Sequence, residues 1–103
     1  MDDLRTALKE RPDDLQGHIL LARNEANVGN FAAAQRAQGR VIDLKGETAT
    51  AEDHAARAEL MVVAARGYVS KDAEELLTET LRRDPTNGTA RYLSGLLMIQ
   101  TGR

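Results

Sequence analysis

Two apolar-periodic stretches hinged at Gly29, Asn30 and Phe31 constrain this chain more than any other feature. Leu21, Ala22, Ala26 and Val28 recur at three- and four-residue steps before the hinge. Ala33, Ala34, Ala37, Val41 and Leu44 do so after it, which is the period of helices with one buried face. Gly29 can take the left-handed conformation that ends a helix, and Asn30 can cap the next. Leu15 to Leu44 therefore reads as a helix pair folded back on itself. Small alanines at the crossing let the backbones approach toward the short end of the roughly 8 to 10 Å spacing of packed helices.

The same reading extends to both ends. Leu4, Ala7 and Leu8 form one strip on a short helix that Arg11 and Pro12 terminate, because the residue before proline is pushed out of the helical region. Asp13 or Asp14 caps the next helix, with Gln16 in capping-box spacing from Asp13, and that helix runs to about Val28. Its partner runs from Phe31 to about Leu44. Lys45 to Thr50 reads as a loop, and Thr50 with Asp53 offers a second capping box opening a helix that ends near Gly67. Ser70 caps a fifth helix, which carries Leu76, Leu77 and Leu81 and stops at Asp84 and Pro85. A sixth follows Asn87 with Tyr92, Leu93, Leu96, Leu97 and Ile99. No strand-period alternation competes, so the expected fold is all-α, six helices packed as antiparallel neighbours.

Composition agrees. With 103 residues, 42% hydrophobic positions and only three aromatics, one core of Leu, Ala, Val and Ile is expected. Fourteen basic residues stand against sixteen acidic ones without a basic cluster in sequence, which argues against nucleic acid as a partner. The longest apolar run, Leu60 to Ala65, is far below the roughly 18 residues of a spanning helix, and no charged-then-apolar leader opens the chain. Having no cysteine excludes disulfides and thiolate chemistry within the chain.

Catalytic or metal-binding patterns are not found. His18 falls on the inter-helix face and reads as a packing residue; His54, on the first turn of a helix, reads as solvated. The carboxylate pairs Asp13 and Asp14, Glu52 and Asp53, and Glu74 and Glu75 each sit near a helix start, where negative charge opposes the positive end of the helix dipole. Neither enzyme activity, a cofactor nor a metal site is expected.

The helix pairs also repeat. Arg11-Pro12-Asp13-Asp14 is echoed by Asp84-Pro85-Thr86-Asn87, and the Gly29 turn by Gly67 and Gly102. Leu21, Ala22, Gly29, Phe31 and Ala34, then Leu60, Ala73, Leu77 and Pro85, resemble the tetratricopeptide repeat, a helix-turn-helix unit of roughly 34 residues. The match departs at Met61, at Gly67, which comes one place early, and at Gly46, which stands where a closing proline is usual. The resemblance implies a right-handed helical solenoid of about six helices that begins and ends mid-repeat. Residues 1–12 would be the second helix of a partial repeat, 13–46 and 51–86 two full repeats separated by a loop at 47–50, and 87–103 the first helix of a further repeat.

In such solenoids the first helix of each pair lines a concave groove. Carried onto this chain, the groove takes Gln16, Ile19, Arg23 and Asn27 from one helix, Ala58, Val62 and Arg66 from the next, and Tyr92, Leu96 and Ile99 from the last. Ala26, Ala55, Ala65, Thr89 and Gln100 stand beside them. This surface suits an amphipathic helix, the other reading being that Val62, Leu96 and Ile99 are ordinary core. Ile19 and Arg23 occupy positions where relatives that grip peptide carboxy termini use Lys and Asn, which disfavours that mode. Part of the apolar surface of the last helix near Leu93 and Leu97 is expected to be uncovered, giving self-association or a shift of that helix that covers the patch.

A narrower resemblance rests on the stretch from Arg11 to Arg103, above all Gly67-Tyr68-Val69-Ser70 and Ala90-Arg91-Tyr92. These segments resemble the periplasmic domain of bacterial cytochrome c maturation proteins of the CcmI/CycH type. What the resemblance implies is a periplasmic chaperone that holds the C-terminal helix of apocytochrome c, works beside haem lyase subunits, and meets the membrane only through a segment absent from this chain. The alternative is a generic tetratricopeptide scaffold with no tie to haem.

Overall fold

The computed structural model describes residues 2–102, apart from the side chains of Asp2 and Asp3. Its elements are α1 (Asp2–Glu10), α2 (Leu15–Asn27), α3 (Phe31–Lys45), a short 3-10 turn (Gly46–Thr48), α4 (Ala51–Ala64), α5 (Lys71–Arg83) and α6 (Gly88–Thr101). Among the described residues there is no strand.

Local chemistry sets the boundaries. Asp14, Thr50, Ser70 and Asn87 each accept a hydrogen bond from a backbone N–H three residues on, serving donors that a helix start otherwise leaves without a partner. At Thr50 the box is complete, since the Asp53 carboxylate also accepts from the Thr50 N–H at 2.9 Å. The α2 cap is Asp14 rather than Asp13, and Gln16 plays no part in it. Asn30 sits at the start of α3 but its side chain makes no cap bond. Its backbone instead closes the end of α2: Asn30 N–H donates to the Glu25 carbonyl at 2.8 Å and Gly29 N–H to that of Ala26 at 3.1 Å. These two bonds form a Schellman motif, with Gly29 at φ +83° in the left-handed position.

Each helix packs on the next in sequence, and α4 also touches α6. Ala34 and Ala37 of α3 and Ala22 of α2 are buried at the central pairing, as their small size requires for a close crossing. The main apolar cluster comprises Ala58, Val62, Val69, Ala73, Leu77, Ala90 and Leu93, with Met61, Leu76, Leu81, Leu96 and Leu97 packed against it. Burying a Leu or Val side chain of this kind contributes about 1.5–3 kcal/mol, so α4, α5 and α6 are held chiefly by aliphatic contact. No described helix is long and apolar enough to cross a membrane.

Two expectations are corrected. His54 is buried, not solvated, because α4 is covered by both α3 and α5. Leu93, expected to be uncovered, is 3% exposed in the α4–α6 core, and Leu97 packs against the same cluster. The uncovered apolar residues of α6 are Tyr92, Met98 and Ile99.

Candidate functional site

The residues carried over from the repeat pattern separate into three groups. On α2, Gln16, Arg23 and Asn27 are exposed and Ile19 is half-buried, at spacings of three and four residues that put them on one face. On α6, Tyr92 and Ile99 are 71% and 80% exposed, with half-buried Leu96 between them on the same strip. No charged residue interrupts α6 after Arg91, so this strip is an apolar surface open to solvent.

On α4 the reading is corrected for two residues. Ala58 is fully buried and Val62 is 4% exposed, both inside the main cluster, because α4 lies between α3, α5 and α6 and its inward face is consumed by packing. They support the surface without forming it. Arg66 is exposed but lies past the end of α4 at φ +57°. Arg66 N–H donates to the Val63 carbonyl at 3.1 Å and Gly67 N–H to that of Val62 at 2.8 Å, a second Schellman motif with arginine where glycine is usual. Arg66 lines a cavity with Phe31 and Arg36 of α3.

Gln100 is also committed elsewhere. Its amide Oε1 accepts from the Val69 N–H at 2.9 Å and its Nε2 donates to the Val69 carbonyl at 3.0 Å, tying the end of α6 to the α4–α5 connection.

Sequence reasoning missed Glu25. It is fully buried, and its Oε1 accepts a 2.5 Å hydrogen bond from Arg5 of α1. The Arg5 guanidinium holds the Glu25 carboxyl below its usual range against the opposing cost of burial, with the Asn30 side chain adding to the lowering although it makes no hydrogen bond of good geometry to Oε2. The signal was its position: Glu25 stands three residues after Ala22, on the apolar face of α2.

Nor were the ties around the α3–α4 connection foreseen. Lys45 pairs with Asp53 at 2.9 Å, and Arg83 donates to the Ala49 carbonyl at 2.7 Å while bonding Glu79 at 2.9 Å. Burial alone would raise the Asp53 carboxyl, but the Thr50 N–H and the Lys45 ammonium together hold it below its usual range. Arg82 and Arg83 hold Glu79 down at about 2.

Among the described residues, no group of three or more His, Asp and Glu side chains is placed to hold a metal ion. The described surface offers an apolar strip on α6 and exposed cations on α2 and α3. No protein-family model matches this chain, and no curated protein or solved structure does so.

Proposed function

We propose that the chain is a protein-binding module that receives an amphipathic helix of a client, with the α6 strip of Tyr92, Leu96 and Ile99 as its anchor. The observation that carries this reading is the 71% and 80% exposure of Tyr92 and Ile99 on a helix without charge beyond Arg91. Exposed apolar surface of this kind marks docking sites, and an i, i+4, i+7 strip complements a helical ligand. Arg23 and the polar end of α2 set orientation, since an exposed charge pair contributes only about 0.2–1 kcal/mol while apolar contact supplies roughly 25 cal/mol per Å².

The helix-pair order and the Gly29 turn support a tetratricopeptide-like solenoid as the frame. The wording of Arg11 to Arg103 supports the finer assignment: a periplasmic, membrane-anchored chaperone without catalytic activity, which holds the C-terminal helix of apocytochrome c and passes it to the haem lyase. Holocytochrome competes poorly in this scheme, because its C-terminal helix already packs the same stripe inside its own core. Without client, a second copy covers the strip, and sedimentation velocity across protein concentration reads that pairing.

Calorimetric titration with an apocytochrome C-terminal helix peptide tests the proposal. Wild type should bind, Ile99→Ala should weaken binding about tenfold, and Arg23→Ala should weaken it less than about fivefold. Equal binding of holocytochrome overturns the haem assignment. Equal binding by Ile99→Ala overturns the α6 surface.

A further inference from the structure

A second surface lies on the opposite flank of α2, between α1 and α3. A cavity of about 470 Å³ there is lined by Arg5, Lys9, His18, Glu25, Arg36 and Arg40 over an aliphatic floor. A neighbouring cavity of about 560 Å³ shares Arg5, Glu25 and Arg36 with it and continues to Arg66, so the two form one trough. Five cations line this trough against one acid, Glu25, in a chain whose net charge is −2. Glu25 is already taken by Arg5, Arg40 makes only a long 3.7 Å pair with exposed Asp43, and neither Lys9 nor Arg36 has an ion-pair partner among the described residues.

His18 Nδ1 and Glu25 Oε2 have no hydrogen-bond partner but lie beneath the lining, out of reach of solvent, so what the trough offers a ligand is its exposed cations and aliphatic floor. A ligand of the trough must bring negative charges spaced to match those cations.

We propose that this trough binds an acidic, extended segment of a partner protein, with carboxylates on Arg36 and Arg40. Spacing supports the match. Arg36 and Arg40 stand one helical turn apart, about 6 Å along the axis, and alternate residues of an extended chain lie about 6.7 Å apart on one side. The preferred sequence is therefore acid, any residue, acid.

Fluorescence anisotropy with a labelled Glu-Ala-Glu-Ala-Glu peptide, end-blocked, tests this. Wild type should bind it at least tenfold more tightly than Gln-Ala-Gln-Ala-Gln, and Arg36→Gln with Arg40→Gln should remove about tenfold of the affinity. Both arginines are exposed, so the double variant keeps the fold, and circular dichroism checks that. Ile99→Ala should leave this binding unchanged, which separates it from the α6 surface. No binding to wild type, equal binding of the two peptides, full affinity in the double variant, or tighter binding of a single-stranded oligonucleotide would each overturn the proposal.

Discussion

The side-chain amide of Gln100 in α6 completes both backbone hydrogen bonds of Val69, donating from Nε2 at 3.0 Å and accepting at Oε1 at 2.9 Å. Val69 is 2% exposed with the amide in place, but Gln100 is itself exposed, so its removal lets water reach the Val69 N–H and carbonyl. Gln100→Ala should lower stability by about 1 kcal/mol, the net worth of hydrogen bonds exchanged for water together with the lost tie between α6 and the α4–α5 connection. Gln100→Glu, which keeps the acceptor and loses the donor, should fall between. Urea unfolding monitored by helicity measures both, and wild-type stability in Gln100→Ala would show that the amide is dispensable.

Arg66 carries a stabilising opportunity. Its backbone sits at φ +57°, a conformation that costs an L-residue roughly 1–2 kcal/mol and glycine almost nothing. Arg66→Gly should raise stability by about 1 kcal/mol after glycine's extra chain entropy is deducted. A decrease would mean that the guanidinium holds the α3 side of its cavity strongly enough to outweigh the strain.

Gly17 argues the opposite way. A Cβ built there would meet Leu8 Cδ2 at 2.7 Å and the Asp14 carboxyl at 3.1 Å, so α1 rests directly on the bare backbone of α2. Alanine has the better helix propensity by roughly 1 kcal/mol, yet overpacking against buried Leu8 costs about 1–3 kcal/mol and disturbs the Asp14 cap. Gly17→Ala should therefore destabilise by about 1 kcal/mol and speed amide exchange in α1. A more stable Gly17→Ala would show that α1 shifts freely.

The helices were legible because their signals are local. Pro12, Thr50 with Asp53, Ser70 and Asn87 act through bonds spanning a few residues, and a sequence displays such neighbours directly. What escaped was long-range. Arg5 with Glu25, Arg83 with Ala49 and Gln100 with Val69 join residues 20 to 34 positions apart, and no period announces them. The candidate surface was half legible for the same reason. A repeat pattern places Tyr92, Leu96 and Ile99 on one strip, but whether Val62 faces solvent or core depends on which helices cover α4.

His54 supplies a pH dependence of definite sign. It is 9% exposed, and neither ring nitrogen has a partner. Burial and the nearby Arg83 guanidinium hold its pKa below 6.5, while Glu79 and Asp53 oppose that lowering without cancelling it. The unfolded chain therefore takes up this proton before the folded chain does. Stability from His54 is fully present above pH 6.5 and is lost as pH falls through the lowered folded value. Glu79, held at about 2 from 4.5, loses its contribution only below about pH 4.5, and the lowered carboxyls of Asp53 and Glu25 act in that same acid range. The difference between wild type and His54→Leu thus isolates the histidine between pH 6.5 and about pH 5. Removing two unpartnered nitrogens should leave His54→Leu as stable as wild type or more so at neutral pH. On acidification its melting temperature should fall less steeply than that of wild type over this range. Parallel melting curves for the two proteins from pH 7 to about pH 5 would show that His54 gains a partner or water on protonation, and the switch would be refuted.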